Sequence, residues 1–87
     1  MWARPAIKRA IERARKRLGL RLRQVREAKG LTQEEAAERA GIHAKHLSVI
    51  ENASPAAKSV SFATLVALAY AYEVSLSAFF EGTPTVR

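Results

Sequence analysis

The stretch 31–52, LTQEEAAERAGIHAKHLSVIEN, contains two runs of good helix-forming residues separated by the break GIH at positions 41–43. Thr32 followed three residues later by Glu35 is the pattern of a capping box, which predicts that a helix begins here. Gly41 takes the place just beyond a helix end, where glycine adopts a positive φ most easily. The sequence therefore predicts two short helices joined by a tight turn, near residues 32–40 and 43–52.

The remaining sequence also reads as helical. Upstream, apolar residues recur every three or four positions between Pro5 and Gly30, which is the pattern of an amphipathic helix. Gly19 interrupts this pattern, so residues 6–17 form either a separate helix or a fraying arm. Downstream, Ser61 can cap a fourth helix, and one further apolar turn follows. We predict an all-α fold, a compact five-helix domain with a basic N-terminal extension, whose core contains Leu22, Val25, Ala37, Ile42, Leu47, Ile50, Leu65, Leu68 and Tyr72.

Composition limits the kind of protein this can be. The 87 residues include no cysteine, so neither disulfide bonds nor thiolate-bound metals brace the chain. No apolar run approaches the roughly 20 residues of a membrane span. Arginines interrupt the apolar residues at the N-terminus, which is unlike a secretory signal.

The net charge of +7 is unevenly distributed. Residues 1–17 hold seven basic residues against Glu12 and so carry +6, whereas the rest of the chain carries +1. We therefore divide the chain into a basic N-terminal extension (1–17), a domain (18–82) and a C-terminal tail (83–87). A polyanionic partner is one interpretation of the extension, and a solvated basic tail is the other.

Two short helices across a glycine turn form a helix-turn-helix, in which the first helix braces the second and the second can lie in the major groove of DNA. Here the sequence resembles the lambda-repressor-like, or Cro/C1-type (XRE family), DNA-binding domains of bacterial and phage regulators. The resemblance covers about residues 18–80. It rests on three segments in the family's order, VREAKGLTQEEAAERAGI, LSVIEN and FATLVALAYAYEVSLSAFF. Each segment alone is weak evidence, but the three in register are specific.

The resemblance implies roles for individual residues. Gln33, which opens the second helix, matches a glutamine that bridges a phosphate and the start of the recognition helix. Arg26 and Glu51 match a structural salt bridge between helix 1 and the end of helix 3. The positions that the resemblance assigns to DNA binding are Gln33, His43, Ala44, Lys45, His46, Val49, Asn52 and Lys58.

The chain departs from the family pattern at several of these positions. His43 stands where Ser or Thr usually caps the recognition helix. Ala44 and Val49 offer no hydrogen bonds, so direct base readout is expected to be sparse and to involve thymine methyl groups. The extension lies outside the resemblance, and its Arg15, Lys16 and Arg17 are candidates for non-specific phosphate contacts.

The leading functional hypothesis is a sequence-specific transcriptional regulator, a repressor that binds double-stranded DNA at a two-fold operator. One small domain with few base-reading groups could not specify a site alone, so a homodimer is expected. One of Phe79 and Phe80 should face outward, and this pair is the candidate for the dimer contact. Such a protein would be cytoplasmic, and associated with the nucleoid when bound to DNA.

Two other classes remain open. The protein could be the antitoxin of a toxin–antitoxin pair, with a toxin protein as a further partner. It could also be a basic module on an anionic membrane surface, although its apolar stripe is narrow for that role. His43 and His46 lie one helical turn apart but have no obvious third ligand, so we predict neither a metal nor another cofactor. No constellation of catalytic groups indicates an enzyme.

Overall fold

The computed structural model describes residues 4–54 and 60–81, and in these ranges it is helical without any strand. The helices are α1 (Pro5–Ala28), α2 (Gln33–Ala40), α3 (Ala44–Glu51) and α4 (Phe62–Tyr72), followed by a 3₁₀-helix at Leu76–Phe80. The all-α prediction is confirmed. The prediction of five α-helices is wrong at its last element, which is a 3₁₀-helix of five residues. The N–H of Ala78 donates to the carbonyl of Ser75, three residues earlier, which is the hydrogen bond of a 3₁₀ turn. The predicted tail at 83–87 lies outside the described residues.

Helix α1 is continuous through Gly19, so the described part of the basic extension belongs to the same 24-residue helix as the first helix of the domain. Pro5 occupies its first turn, where the missing N–H would have had no partner in any case. A Cβ atom added to Gly19 would lie 2.6 Å from the carbonyl oxygen of Glu51 and 2.7 Å from that of Ile50. Gly19 is therefore the point at which α1 crosses the end of α3.

Four helices end in the same kind of turn, in which a residue in the left-handed conformation follows the helix. Gly30 and Gly41 hold this position after α1 and α2, with φ of 71° and 72°. The left-handed turn at Gly41 is the one that the sequence predicts. After α3 and α4 the position belongs to Ala53 and Glu73, with φ of 49° and 56°. A side chain in this conformation costs about 1–2 kcal/mol, so both turns hold strain that glycine would relieve.

The core lies between α1, α2, α3, α4 and the 3₁₀-helix. All the predicted core residues are buried except Ile42, which is half-buried and packs against the core from the turn between α2 and α3. Phe79 is fully buried and its ring meets that of Tyr72 edge-on, with 6.1 Å between ring centroids, whereas Phe80 faces outward. The prediction that one of these two phenylalanines is exposed is confirmed.

Candidate nucleic-acid interface

Helix α2 begins at the capping box that the sequence predicts. The backbone N–H of Glu35 donates to Thr32 Oγ1 at 3.1 Å, and the backbone N–H of Thr32 donates to Glu35 Oε1 at 2.9 Å. These hydrogen bonds also hold the pKa of Glu35 below its ordinary value. The start of α2, and with it the position of Gln33, is therefore fixed by local sequence.

Helix α3 buries one side and exposes the other. Leu47, Ile50 and Glu51 are buried against the rest of the domain. The opposite side presents residues three or four positions apart, which places them on one face of the helix. Most of this outward face is exposed and Val49 is half-buried; its members are Lys45, His46, Val49 and Asn52.

The start of α3 differs from that of α2. His43 occupies the N-cap position with an extended backbone, but its side chain makes no capping hydrogen bond. Ala44 is half-buried and packs partly against the core, so little of its side chain is turned outward. The first exposed polar group of the helix itself is thus Lys45.

A buried ion pair holds the other end of α3. Arg26 Nε donates to Glu51 Oε2 at 2.7 Å, and Arg26 Nη2 donates to Glu51 Oε1 at 3.0 Å. The Arg26 and Glu51 side chains are only 9% and 1% exposed. Arg26 Nη1 also donates to the carbonyl of Leu31 at 2.8 Å. The pair therefore joins α1, the turn after it and α3 in the arrangement that the family resemblance implies.

Gln33 belongs to the same network. Its Nε2 donates to Glu51 Oε1 at 3.0 Å, which connects the start of α2 to the end of α3. The resemblance implies a contact with the start of the recognition helix instead, so the expected bridge differs at its protein end. The amide nitrogen carries a second N–H, which remains chemically suited to donate to a phosphate oxygen.

The ion pair also sets the electrostatics around it. Its hydrogen bonds to Glu51 raise the pKa of Arg26 above the ordinary value. Burial raises the pKa of Tyr72 to about 12, and the negative charge of Glu51 adds to that rise. The Tyr72 hydroxyl is buried and has no hydrogen-bond partner among the described residues. Tyr72 therefore stays neutral to a higher pH than an ordinary tyrosine.

Tyr72 should make the protein lose stability at high pH. An unfolded tyrosine ionises near pH 10, whereas Tyr72 in the folded protein ionises near 12. The contribution of Tyr72 to the free energy of unfolding is therefore constant below pH 10. It falls by about 2–3 kcal/mol as the pH rises from 10 to 12. Tyr72→Phe should remove this loss and be at least as stable as the wild type at neutral pH, because no described hydrogen bond is sacrificed. Urea unfolding at a series of pH values measures both effects. Tyr70→Phe is the control, since Tyr70 is 85% exposed and its replacement should leave the alkaline loss in place.

The remaining sequence-predicted residues are more scattered. Lys58 lies outside the described residues. In α1, Lys16 and Arg17 are exposed and Arg15 is half-buried. Sequence reasoning missed the packing role of Gly19, for which the one available signal was a glycine inside a helical pattern.

No helix in the described ranges is long and apolar enough to cross a membrane. The same ranges hold no group of three His, Cys, Asp or Glu residues placed to bind a metal ion.

A helix-turn-helix braced by a buried ion pair, with a polar outward face on its second helix, defines a class of DNA-binding domain. Comparison with known families agrees: a helix-turn-helix domain family matches residues 17–78. The chain belongs to this helix-turn-helix family, and its type is lambda-repressor-like, or Cro/C1-type. It is accordingly a DNA-binding transcription regulator.

The chain is also similar to the restriction-modification controller protein C.AhdI from Aeromonas hydrophila, whose crystal structure has been solved. The two chains are 31% identical and superpose with a TM-score of 0.68. The similarity covers 75% of this chain and 94% of C.AhdI. A search of curated proteins gives no match.

Proposed function

We propose that the protein is a sequence-specific repressor that binds a two-fold operator as a homodimer, with α3 of each copy in the major groove. The observation that carries this proposal is the contrast between the two sides of α3. Its inner side is fixed to α1 and α2 through Glu51, while its outer side offers Lys45 and His46 to a partner. A rigid helix with an exposed polar face can be placed in a groove without a cost for ordering.

The outward face of α3 divides into polar and apolar positions. Lys45 is exposed and can donate to O6 and N7 of guanine. Val49 lies one turn further along and is half-buried, so its remaining surface suits a thymine methyl group. Gln33, at the start of α2, is suited to a phosphate and carries no base information. Lys45 is therefore the principal base-reading residue in this proposal.

Lys45→Ala and Gln33→Ala should have different effects on DNA binding. Losing Lys45 should cost about 1–3 kcal/mol on the best site and relax the preference at one base pair. Losing Gln33 should weaken binding to all sequences more evenly. The operator is first selected from a random DNA library, and affinities are then measured on it and on its single-base variants. Lys29→Ala, a loss of equal charge at the end of α1, is the control and should keep the base preference.

Two results would contradict the proposal. If no sequence is enriched from the library, the protein is not a sequence-specific regulator. If Lys45→Ala lowers affinity equally for every base variant, Lys45 contacts phosphate and the assignment of base readout is wrong.

The first half of α1 is proposed to add affinity without specificity. Its basic residues lie on a continuous helix that is fixed to the domain at Gly19, so they approach DNA as a rigid unit. Lys16 and Arg17 are the exposed members of the proposed phosphate-contact group. Each phosphate that they or their neighbours neutralise should steepen the dependence of log K on log salt by roughly 0.9.

Replacing the exposed cations of this segment should flatten the salt dependence. The variant changes five residues to glutamine, which preserves the helix: Lys8, Arg9, Arg13, Lys16 and Arg17. Affinity at low salt should fall, the slope should drop by up to several units, and the preferred sequence should stay the same. Binding is titrated across a salt series, with Arg23→Gln, later in α1, as the control. An unchanged slope in the five-residue variant would show that this segment does not contact DNA.

A further inference from the structure

Helix α4 is apolar on its inner side and on its outer side. None of its 11 residues is charged. Its inner side lies in the core, while three large apolar side chains spaced four positions apart point outward. Phe62 is 70%, Val66 44% and Tyr70 85% exposed. A helix with two apolar sides is normally covered on both. The exposure of these three residues shows that the outer side is not covered within the described part of the chain.

The outer face of α4 has a ridge and a groove side by side. Phe62, Val66 and Tyr70 form the ridge, because residues four apart stack along one line of a helix. Small residues lie next to it, and together with the ridge and Arg39 they line a shallow groove; these small residues are Ala40, Ala63 and Ala67. Two copies that cross at Val66 about a two-fold axis would place Phe62 and Tyr70 of each copy against the groove of the other. The face thus has both features that a contact between two identical copies needs, a ridge and a groove.

The area of the ridge matches a weak contact between proteins. An aromatic side chain offers roughly 150–250 Å² of surface, so the exposed parts of Phe62, Tyr70 and Val66 together amount to about 400 Å². That is a large apolar patch for the surface of a monomer. It is about half of the roughly 800 Å² per partner of a standard interface, so the contact is expected to be weak.

The distribution of charge favours a second copy as the occupant. Residues 5–17 of α1 carry six basic residues against Glu12, a net charge of +5, whereas Arg39 is the charged residue that lines the groove. A polyanion or an acidic partner would find little to pair with on α4. The uncharged ridge of a second copy fits, and none of the residues of this contact belongs to α1.

We propose that the outer face of α4 is a self-association surface on which two copies of the chain pack about a two-fold axis, with Val66 near the axis. This inference rests on the proposed function, which requires a dimer. It adds the surface through which the dimer forms. Phe79 cannot serve, because it is fully buried, and Phe80 is a single exposed ring.

The experiment uses the full chain without DNA. Sedimentation from roughly 1 to 300 µM should show a monomer–dimer equilibrium for the wild type. Tyr70→Glu should weaken it at least about tenfold. Leu20→Glu introduces the same charge at a large apolar residue of α1 that is 55% exposed, and it should dimerise like the wild type. Circular dichroism checks that each variant is folded.

Cross-linking tests the geometry directly. Since the chain has no cysteine, Val66→Cys introduces a single thiol close to the proposed axis. Mild oxidation should then yield a disulfide-linked dimer, because two Cβ atoms near the axis come within the roughly 3.5–4.5 Å that a disulfide requires. Leu20→Cys is the matched control and should stay largely monomeric. A dimer from both thiols alike would indicate random collision and overturn the proposed geometry.

Other outcomes also overturn the proposal: a wild type that is monomeric over the whole concentration range, a Tyr70→Glu variant that dimerises normally, or a dimer that only Phe80→Glu disrupts. If operator binding survives any of these results, the proposed function stands and the α4 surface is wrong. If Val66→Cys alone cross-links but no DNA sequence is enriched, the surface stands and the proposed function is wrong.

Discussion

Glu51→Gln is expected to lower the free energy of unfolding by about 3–5 kcal/mol, because it removes one member of a buried ion pair and leaves the other. The amide keeps the size of the carboxylate but not its charge. Arg26, whose side chain is 9% exposed, would then be a buried cation without a counterion. One terminal atom of the new side chain would also be a donor facing the donors of Arg26 and Gln33.

The matched control is Glu81→Gln, which removes the same charge from a surface pair. Glu81 lies 3.1 Å from Arg21, but its side chain is 66% exposed, so its loss should cost at most about 1 kcal/mol. Urea unfolding of both variants beside the wild type measures the difference. A Glu51→Gln variant that unfolds at nearly the wild-type midpoint would mean that the pair contributes as little as a surface pair does.

The double variant Arg26→Met with Glu51→Leu separates the value of the pair from the cost of breaking it. Replacing a buried ion pair by apolar residues of similar volume is often neutral or stabilising. We expect the double variant to recover most of the stability lost in Glu51→Gln. Its DNA affinity should nevertheless be lower than that of the wild type, since Gln33 would lose its acceptor and the hydrogen bonds that orient α3 would be gone.

Local sequence signals predicted the parts of the fold that depend on neighbouring residues. The capping box at Thr32 and Glu35 and the left-handed turn at Gly41 need only a few residues of chain, and both are present. The outward face of α3 likewise follows from helical periodicity once its start is known. The Arg26–Glu51 contact joins residues 25 positions apart, and it could be expected only from the family resemblance.

The features that sequence did not predict depend on how distant elements meet. The acceptor of Gln33 is set by the angle between α2 and α3, which brings the end of α3 to the start of α2. The 3₁₀ form of the last helix agrees with its short length. Its contact with α1, where Arg21 Nε donates to the carbonyl of Ala78 at 2.8 Å, joins residues 57 positions apart and has no local signal. From the sequence alone, the apolar residues on the outer face of α4 would be assigned to the core. The spacing of apolar residues does not distinguish burial within one chain from burial between two chains.

The role of Gly19 is different in the fold from the one that the sequence suggests. In the sequence it is a weak point of an amphipathic helix. In the fold it lets the backbone of α1 approach the last carbonyl groups of α3, closer than any side chain would permit. The same contact fixes the basic first half of α1 relative to the recognition helix. Gly19 therefore connects the proposed phosphate-binding segment to the proposed base-reading segment.

Gly19→Ala is expected to destabilise the protein by about 2 kcal/mol, although alanine is the better helix former. Alanine gains about 1 kcal/mol over glycine inside a helix. Against this, the new Cβ would lie 2.6 and 2.7 Å from two backbone carbonyl oxygens, which cannot rotate away as a flexible side chain could. Overpacking of this kind costs about 1–3 kcal/mol or more, and contacts this short with backbone belong at the upper end. The helices must separate, and the loss should exceed the gain.

Thermal unfolding tests this prediction, with Gly30→Ala as the control. Gly30 has no atom within 4 Å of an added Cβ, so its replacement is opposed by its φ of 71° alone and should cost about 1–2 kcal/mol. The two variants should differ further in DNA binding measured below their unfolding temperatures. Gly30→Ala should bind like the wild type, whereas Gly19→Ala should bind more weakly and with a flatter salt dependence, because α1 is displaced from α3. A Gly19→Ala variant that is more stable than the wild type would show that α1 can move away from α3 at little cost, and that the close crossing is not what positions the two helices.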